Sequence, residues 1–425
     1  MDIVADPDSL TLRIRLMHRP IPEKLTPPLA WTPTRAAGLA RLEAFLPRAG
    51  RSYERDRNVD RGPADRANVS GLSPWLRRRM ITEAEVISAV LARHPFEVAQ
   101  KFIQEVFWRT YWKGWLEQRP DVLLRFKVEG ARAAAQAEAN PELRRRLHVA
   151  TTGQTGIDAF DAWVDELVTT GWLHNHARMW FASIWIFTLK LPWQLGAAFM
   201  FDHLLDADPA SNTLSWRWVA GLHTRGKHYL ARADNIRDNT QGRFTPAGQL
   251  DELALPLSEE GPPPAIRPLP PAGRLATRRV GLLLHEDDLH PESLPLGADI
   301  AAVAMLTLPP TASPEGPAAR FARGAADDAL DRAARAFGVP ADLMKAMQVK
   351  QWARSLDVSE VATPCAPVGR AATELAQLAD ELGRDGIRLV QLRRDYDQRA
   401  WPHATAGFFR FREQIPRLVS EITGT

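Results

Sequence analysis

The stretch FEVAQKFIQEVFWRTYWKGWLEQ, residues 96–118, decides the fold class of the first half of the chain. Its apolar residues recur every three or four positions, and Pro95 precedes it, so it predicts a long helix. Four of its side chains share one face, at positions i, i+3, i+4 and i+7: Glu105, Trp108, Arg109 and Trp112. A carboxylate, a guanidinium and two indoles on one face are typical of a polar pocket for a flat ligand. The alternative is an amphipathic helix whose tryptophans pack and whose charges face water.

The composition places the whole chain among ordinary globular proteins. Its 425 residues predict two or three domains, with 45% hydrophobic and 25% charged residues. The net charge of +3 excludes a polycation, although a local basic patch remains compatible with a pI of about 9.1. The single Cys365 excludes an intrachain disulfide framework and fits a reducing cytoplasm. The acidic start MDIVADPDSL is not a secretory signal, and the apolar stretch 179–193 is too short to span a bilayer, so we expect a cytoplasmic protein without a membrane partner.

Four segments are predicted along the chain. Residues 1–30 have weak patterning and predict an N-terminal arm, and residues 31–250 predict a helical domain. Residues 251–275 are Pro-rich and predict a stiff, extended linker. Residues 276–425 alternate apolar strands, such as RRVGLLLH and DIAAVAMLTL, with amphipathic helices, which predicts a small α/β domain. The expected fold class is therefore mainly α, followed by a smaller C-terminal α/β domain that has no G-x-G-x-x-G or P-loop pattern.

A second candidate cluster lies in NVSGLSPWLRRRM, residues 68–80. Ser70 and Ser73 could offer hydroxyls and backbone N–H groups to a phosphate at a helix start. The three arginines 77–79 would add positive charge there. The plainer alternative is a serine that caps the helix.

A third cluster combines GWLHNHARMWFAS, residues 171–183, with HLLDADPASN, residues 203–212. In a helix, Asn175, Arg178 and Met179 would share a face. A buried arginine needs a carboxylate partner, and either Asp206 or Asp208 could serve. The run His-Asn-His at 174–176 also suggests an HNH nuclease, but that site needs a ββα metal motif and this stretch is helical, so no metal site is predicted.

Five motifs together resemble a known family. They are NVSGLSPWLRR, FIQEVFWRTYW, TGIDAFDAWVDELVTTGWLHNHARM, LPW and LLDADPASNTLSWRWVAG. In this order and spacing they resemble the FAD-binding helical domain of the DNA photolyase/cryptochrome family, in its form that repairs cyclobutane pyrimidine dimers. The resemblance covers about residues 35–245. Family members normally carry an α/β antenna domain before the helical domain; we expect this chain to lack it there, and the α/β region to follow instead.

The resemblance implies a role for each site residue. The residues implied to hold FAD are Ser70, Ser73, Arg109, Asn175, Arg178, Asp206, Asp208 and Asn212. Asn212 would face flavin N5, and Arg178 would pair with Asp206 beside the isoalloxazine. Trp216 would be the electron donor next to the flavin, and Trp193 the next member of that chain. The residues implied to contact the lesion are Glu105, Trp108, Met179 and Trp218.

The implied activity is that of a deoxyribodipyrimidine photolyase-like lyase, which uses blue light and reduced FAD to split cyclobutane dimers in UV-damaged DNA. Asn175 and Met179 favour this lesion, because family members that repair (6-4) photoproducts carry histidine at both positions. The alternatives are a cryptochrome-like photoreceptor and a DNA-binding flavoprotein that does not repair. No tryptophan occurs between Trp115 and Trp163, so the usual third electron-transfer residue has no match. Strand preference, a second (antenna) chromophore and a protein partner of the C-terminal domain stay open.

Overall fold

The computed structural model describes residues 31–308 and 316–424, so the predicted arm, residues 1–30, lies outside the described residues. From residue 31 to residue 239 every regular element is helical. The helices of this part are α1 (Arg35–Phe45), α2 (Arg51–Asp56), α3 (Ser73–Arg77), α4 (Glu83–Leu91), α5 (Phe96–Glu117), α6 (Asp121–Ala139), α7 (Pro141–Thr151), α8 (Asp158–Thr170), α9 (Asn175–Ser183), α10 (Trp193–His203), α11 (Pro209–Ala220) and α12 (Ala233–Asn239). The long helix predicted over residues 96–118 is thus confirmed as α5.

Local chemistry sets the ends of the helices that later form the site. The Asp208 side chain caps α11 by accepting a hydrogen bond from the Ser211 N–H, and α11 ends at Gly221, whose φ is +84°. Helix α8 ends in the same way at Gly171, where φ is +68°. These two glycines reverse the chain directly before α9 and directly after α11, and so fix where the two helices begin and end.

The most apolar stretch, residues 179–193, is buried as predicted but is not one helix. Helix α9 passes into a π-helical turn, Ile184–Thr188, and the chain then breaks before Pro192. Trp180, Phe181 and Trp185 are fully buried along it. Within the described ranges, no helix combines the length and the apolar character that a bilayer crossing requires.

The C-terminal part is an α/β unit built on a five-stranded parallel sheet. The strands are β1 (Arg279–Leu284), β2 (Asp299–Thr307), β3 (Ala341–Lys345), β4 (Glu360–Pro364) and β5 (Arg388–Leu392), in the order β3-β2-β1-β4-β5. The helices are α13 (Pro317–Phe337), α14 (Ala346–Ser355), α15 (Arg370–Gly383), α16 (Asp395–Ala400), α17 (Phe408–Arg412) and α18 (Ile415–Thr423). The fold class, mainly α with a smaller C-terminal α/β part, is confirmed.

Sequence patterning identified four of these strands but missed β3. This strand lies at the edge of the sheet, and its residues ADLMK are half-buried or exposed. Because an edge strand covers little core, it has neither the apolar run nor the alternation that marks the other strands. The helix α14, which follows it directly, was missed with it.

The helical and α/β parts meet through buried ion pairs. Arg77 bonds to Asp287, Arg78 to Glu286 (3.1 Å), and Arg79 to Asp397 (2.6 Å). The expectation that arginines 77–79 add free positive charge beside a phosphate is therefore wrong. All three guanidiniums are buried against carboxylates of the α/β part, which satisfies charges that could not otherwise be removed from water.

Candidate functional site

One cavity of about 540 Å³ opens in the helical part. Its walls come from the loop before α3 and from α5, α9 and α11, together with the segment Leu204–Asp208. The predicted site residues that line it are Ser70, Ser73, Glu105, Trp108, Arg109, Asn175, Arg178, Met179, Asp206, Asp208, Asn212, Trp216 and Trp218. Residues from four separate stretches of sequence thus meet around one volume of a size typical of ligand sites.

Arg178 takes Asp206 as its partner. Its two terminal nitrogens lie 3.1 and 2.8 Å from the two carboxylate oxygens, and its Nε donates to the Leu173 carbonyl at 3.0 Å. Asp206 is buried, whereas the Arg178 side chain is a quarter exposed and lines the cavity. This bidentate geometry holds the guanidinium plane at a fixed angle on the wall of the cavity.

The other candidate carboxylate, Asp208, lies in a cationic cluster. Its Oδ2 is 3.2 Å from Arg109 and 3.7 Å from Lys113, and the Arg77 side chain is also near. Burial alone would raise the pKa of Asp208, but these three cations hold it well below its ordinary value. Burial, reinforced by Arg109, lowers the pKa of Lys113 to about 8. Arg109 lines the cavity and also lies 3.4 Å from Glu83, so its guanidinium is the cationic group at this end that an anionic ligand group can reach.

Several buried polar atoms around the cavity make no hydrogen bond within the protein, although Arg109 Nε lies 3.4 Å from Glu83 and Lys113 Nζ lies 3.7 Å from Asp208. They are Arg109 Nε, Lys113 Nζ, His176 Nδ1 and Trp216 Nε1. Leaving such groups unpaired costs about 1–3 kcal/mol each, so a ligand that satisfies them is favoured. Asn212 differs, because its amide donates to the Ala197 carbonyl at 2.8 Å and is held in place on the wall. Unpaired donors beside a cationic end fit a large cofactor that carries phosphates and a polar ring.

The serine loop is built to approach a ligand closely. Gly71 has a φ of +62°, a left-handed backbone conformation that favours glycine. The Ser73 hydroxyl accepts from Trp172 Nε1 at 3.2 Å. The N-cap of α3 is Leu72, which makes no side-chain cap, so the alternative of a capping serine is not what the structure shows. The Ser70 hydroxyl makes only a long 3.4 Å contact with the Leu72 N–H.

Two tryptophans and a carboxylate lie along another wall of the cavity. Trp108 stacks on Phe408, with ring centroids 3.6 Å apart and planes 12° apart, and Trp218 stacks on Tyr229 at 5.7 Å. Glu105 forms an ion pair with Arg57. Burial raises the pKa of Glu105, and Arg57 opposes that rise. Each indole is held from behind by another aromatic ring, which fixes the plane of the indole at the cavity wall.

The structure adds residues that sequence reasoning missed. Arg57 and Tyr53 of the α2 region reach the cavity, as does the partly buried His176. A buried carboxylate such as Glu105 needs a cation, so an arginine partner could be anticipated, but the run of arginines at 48–61 gave no means of choosing among them. Phe408 could not have been found, because 300 residues separate it from Trp108.

His174 and His176 form a neutral pair. His174 Nε2 lies 3.0 Å from the Arg57 carbonyl, and its Nδ1 accepts from the His176 backbone N–H at 3.2 Å. This arrangement requires the proton on Nε2 and leaves none for Nδ1. Burial lowers the pKa of both rings to about 4. In the part of the chain that the structure describes, no three metal-ligating side chains converge here or elsewhere.

Trp216 is fully buried between Phe181 and Trp185, at centroid distances of 6.3 and 6.4 Å. A Cβ on Gly196 would lie 2.5 Å from Trp216 and 2.7 Å from Trp185, so only glycine lets the two indoles approach. Trp193 does not line the cavity; it packs on Phe126 at 5.3 Å. Its predicted role as the second member of an electron-transfer chain stays a prediction.

Comparison with known proteins shows that much of the helical part is similar to a recognised family of domains. Residues 102–249 match a family described as the FAD binding domain of DNA photolyase. A deoxyribodipyrimidine photo-lyase from Agrobacterium fabrum is 32% identical over 194 residues, which is 45% of this chain and 39% of the relative. The corresponding protein from Streptomyces griseus is 31% identical over 182 residues, 40% of this chain and 38% of the relative. The resemblance to the DNA photolyase/cryptochrome family is confirmed.

The chain spans about two fifths of the length of these curated relatives. Cryptochrome-1 of Arabidopsis thaliana is 36% identical over 104 residues, 24% of this chain and 15% of the relative. Among solved structures, a bacterial class III photolyase from Agrobacterium tumefaciens shares 26% identity with a TM-score of 0.38, over 49% of this chain and 43% of that one. A Synechocystis cryptochrome shares 23% identity with a TM-score of 0.44, over 52% and 46%.

Proposed function

We propose that this chain binds FAD in the 540 Å³ cavity and uses blue light to split cyclobutane pyrimidine dimers in DNA. The proposal rests on one observation: three features meet in one cavity. They are Arg109 beside Asp208, the oriented Arg178–Asp206 pair, and two tryptophans that each stack on a second aromatic ring, Trp108 and Trp218. The match of residues 102–249 to the FAD binding domain of DNA photolyase supplies the cofactor. The reaction class is inferred from the relatives, which are named deoxyribodipyrimidine photo-lyases.

The cationic end would bind the phosphates of the cofactor. Arg109 lines the cavity there with an Nε that makes no hydrogen bond within the protein, and Ser70 and Ser73 line the same cavity. The Arg178–Asp206 pair would lie against the flavin ring, where a fixed guanidinium can stabilise a negatively charged, reduced ring. Asn212, anchored on Ala197, would present its amide to the ring edge.

When bound, reduced FAD would supply one electron on excitation. That electron would open the cyclobutane ring and then return. The protein's part is to place the dimer beside the flavin and to exclude water. Trp108 and Trp218 would stack on the displaced bases, and Glu105 would hydrogen-bond their polar edge. Glu105, held by its ion pair with Arg57, would accept a hydrogen bond from a base N–H. Trp216 would supply an electron to oxidised flavin from its buried position beside Trp185.

The test is a repair assay on purified protein carrying chemically reduced flavin. An oligonucleotide with one thymine cyclobutane dimer is illuminated with blue light beside a dark control, and dimer loss is followed by chromatography. An oligonucleotide of the same sequence with a (6-4) photoproduct tests the lesion class, because Asn175 and Met179 carry the preference for the cyclobutane dimer. Light-dependent loss of the cyclobutane dimer alone is the expected result.

Each other outcome points to one part of the proposal. Protein that is yellow with bound flavin but repairs neither lesion would support the cryptochrome-like photoreceptor, or a flavoprotein that binds DNA without repairing it. Repair of the (6-4) product would overturn the lesion assignment and leave the cofactor assignment intact. Failure to retain flavin in protein whose Arg178 and Asp206 are unaltered would overturn the whole proposal.

A further inference from the structure

The short helix α17, near the C-terminus, is fixed to the helix that carries the lesion-contacting residues. Phe408 stacks face to face on Trp108, and Phe411 packs against Phe107 and Tyr111 of α5. The Tyr111 hydroxyl donates to the Ala406 carbonyl at 2.9 Å, directly before α17. Helix α17 is therefore packed against α5, behind the Trp108 wall of the cavity, although it belongs to the α/β part of the chain.

The outer face of α17 has an unusual composition. Phe409, next to Phe408, is 71% exposed, and the Arg412 guanidinium lies 5.3 Å from its ring centroid. Arg410 and Arg412 are both exposed, and neither pairs with a carboxylate among the described residues. The pattern FFRFR therefore presents an exposed aromatic ring together with two guanidiniums that form no ion pair with the described residues.

We propose that α17 is a nucleic-acid contact outside the lesion pocket, in which Phe409 stacks on an unpaired base and Arg410 and Arg412 bind the flanking phosphates. This inference rests on the proposed function, because it assumes that DNA docks over the cavity. Stacking on an aromatic ring together with cationic contacts to the backbone is how single strands are bound without sequence preference. Extrusion of a dimer leaves unpaired bases beside it, and an exposed aromatic side chain can stack on such a base.

Charge complementarity favours nucleic acid over a protein partner. Arg410 and Arg412 are exposed and form no ion pair with the described residues, so both are available to an anionic partner. An acidic surface would satisfy the two arginines of α17 but would leave Phe409 without a flat partner. A base with its phosphate satisfies both.

The experiment measures binding of a fluorescent single-stranded oligothymidylate of about 16 nucleotides, a length that covers a typical single-strand site. The full chain is compared with Phe409→Ala and with the double variant Arg410→Ala/Arg412→Ala. Because Phe409 is exposed, its removal leaves the melting temperature unchanged, while the dissociation constant rises about fivefold or more. The double variant lowers the slope of log K against log salt by about 1.4, since each phosphate contact on a single strand contributes about 0.7.

Matched controls separate a local effect from a general one. Met347→Ala removes another highly exposed apolar side chain, from α14, and Arg335→Ala/Arg384→Ala removes the same charge from α13 and the end of α15. Equal affinities and salt slopes for the α17 variants and these controls would overturn the inference while leaving the proposed function standing. If the unaltered chain binds neither this oligothymidylate nor a dimer-containing duplex, the proposed function itself fails.

Discussion

The cavity wall and the contact between the helical and α/β parts use the same residue types for different purposes. Both bury arginines against aspartates. At the contact, Asp288 accepts two 2.7 Å hydrogen bonds from Arg394 and lies 3.4 Å from Arg79. At the cavity, Arg178 keeps a quarter of its side chain accessible, and Arg109 leaves Nε unpaired. An ion pair enclosed within the protein stabilises the fold, whereas one that faces a cavity with spare donors is available to a ligand.

The largest expected effect is on the stability of the contact. Asp288→Asn removes the charge shared by Arg79 and Arg394; Arg79 keeps Asp397, but the buried Arg394 loses its carboxylate partner. We expect the free energy of unfolding to fall by about 3–5 kcal/mol. Urea unfolding followed by circular dichroism measures it. Asp299→Asn, an exposed carboxylate at the start of β2, is the control, and equal stability of the two variants would contradict the structural role of this contact.

The matching change at the cavity should affect ligand binding more than folding. Asp206→Asn keeps the shape of the side chain but removes the charge that orients Arg178. Hydrogen bonds to charged groups contribute about 1.5–3 kcal/mol, so flavin affinity should fall at least about tenfold. Fluorescence titration of flavin-depleted protein measures this loss, with Asp234→Asn on the exposed surface as the control. A loss of stability as large as that of Asp288→Asn, with unchanged flavin affinity, would remove the distinction between the two regions.

The histidine pair gives the cavity wall a dependence on pH. The pKa of His174 is lowered to about 4, so the unfolded chain, with a pKa near 6.5, binds more protons between these values. The stabilisation is therefore complete above about pH 6.5 and is lost as the pH falls toward 4, by roughly 2 kcal/mol at pH 5 for one such histidine. Melting temperatures from pH 7.5 to 5 measure the loss. His174→Gln keeps a donor and an acceptor without titrating, so its melting temperature should fall less over this range; an identical fall would exclude His174 as a cause.

The smallest expected effect is on DNA binding, when Trp108, which stacks on Phe408, is changed. Trp108→Ala should weaken binding of a dimer-containing oligonucleotide by about 1–3 kcal/mol while flavin stays bound, because stacking on one base is worth that much. Trp108→Phe retains a flat ring against Phe408 and should retain most of the affinity. Fluorescence anisotropy with the damaged and undamaged oligonucleotides separates these outcomes. Unchanged affinity in Trp108→Ala would exclude this wall as the lesion contact.

Sequence reasoning reached the elements and the membership of the site because both depend on local patterns. A period of three to four residues predicted α5, and strands alternating with helices predicted the α/β part. The spacing of Asn175, Arg178 and Met179 placed them on one face, and all three line the cavity. The edge strand β3 is not predicted from the sequence. It buries few side chains, so its residues show no apolar pattern that would mark a strand.

By itself, the sequence predicted the long helix α5, the change from helical to α/β patterning, and which side chains were candidates for a flavin site. Only the tertiary structure decided which arginines face a ligand and which are sealed in a contact. Arg77 meets Asp287 across 210 residues of chain, and Phe408 reaches Trp108 across 300. Local periodicity determines which residues share a face of a helix. Whether a charge on that face is paired, free or enclosed depends on the distant part of the chain that packs against it. Burial then determines the free-energy cost of leaving that charge without a partner.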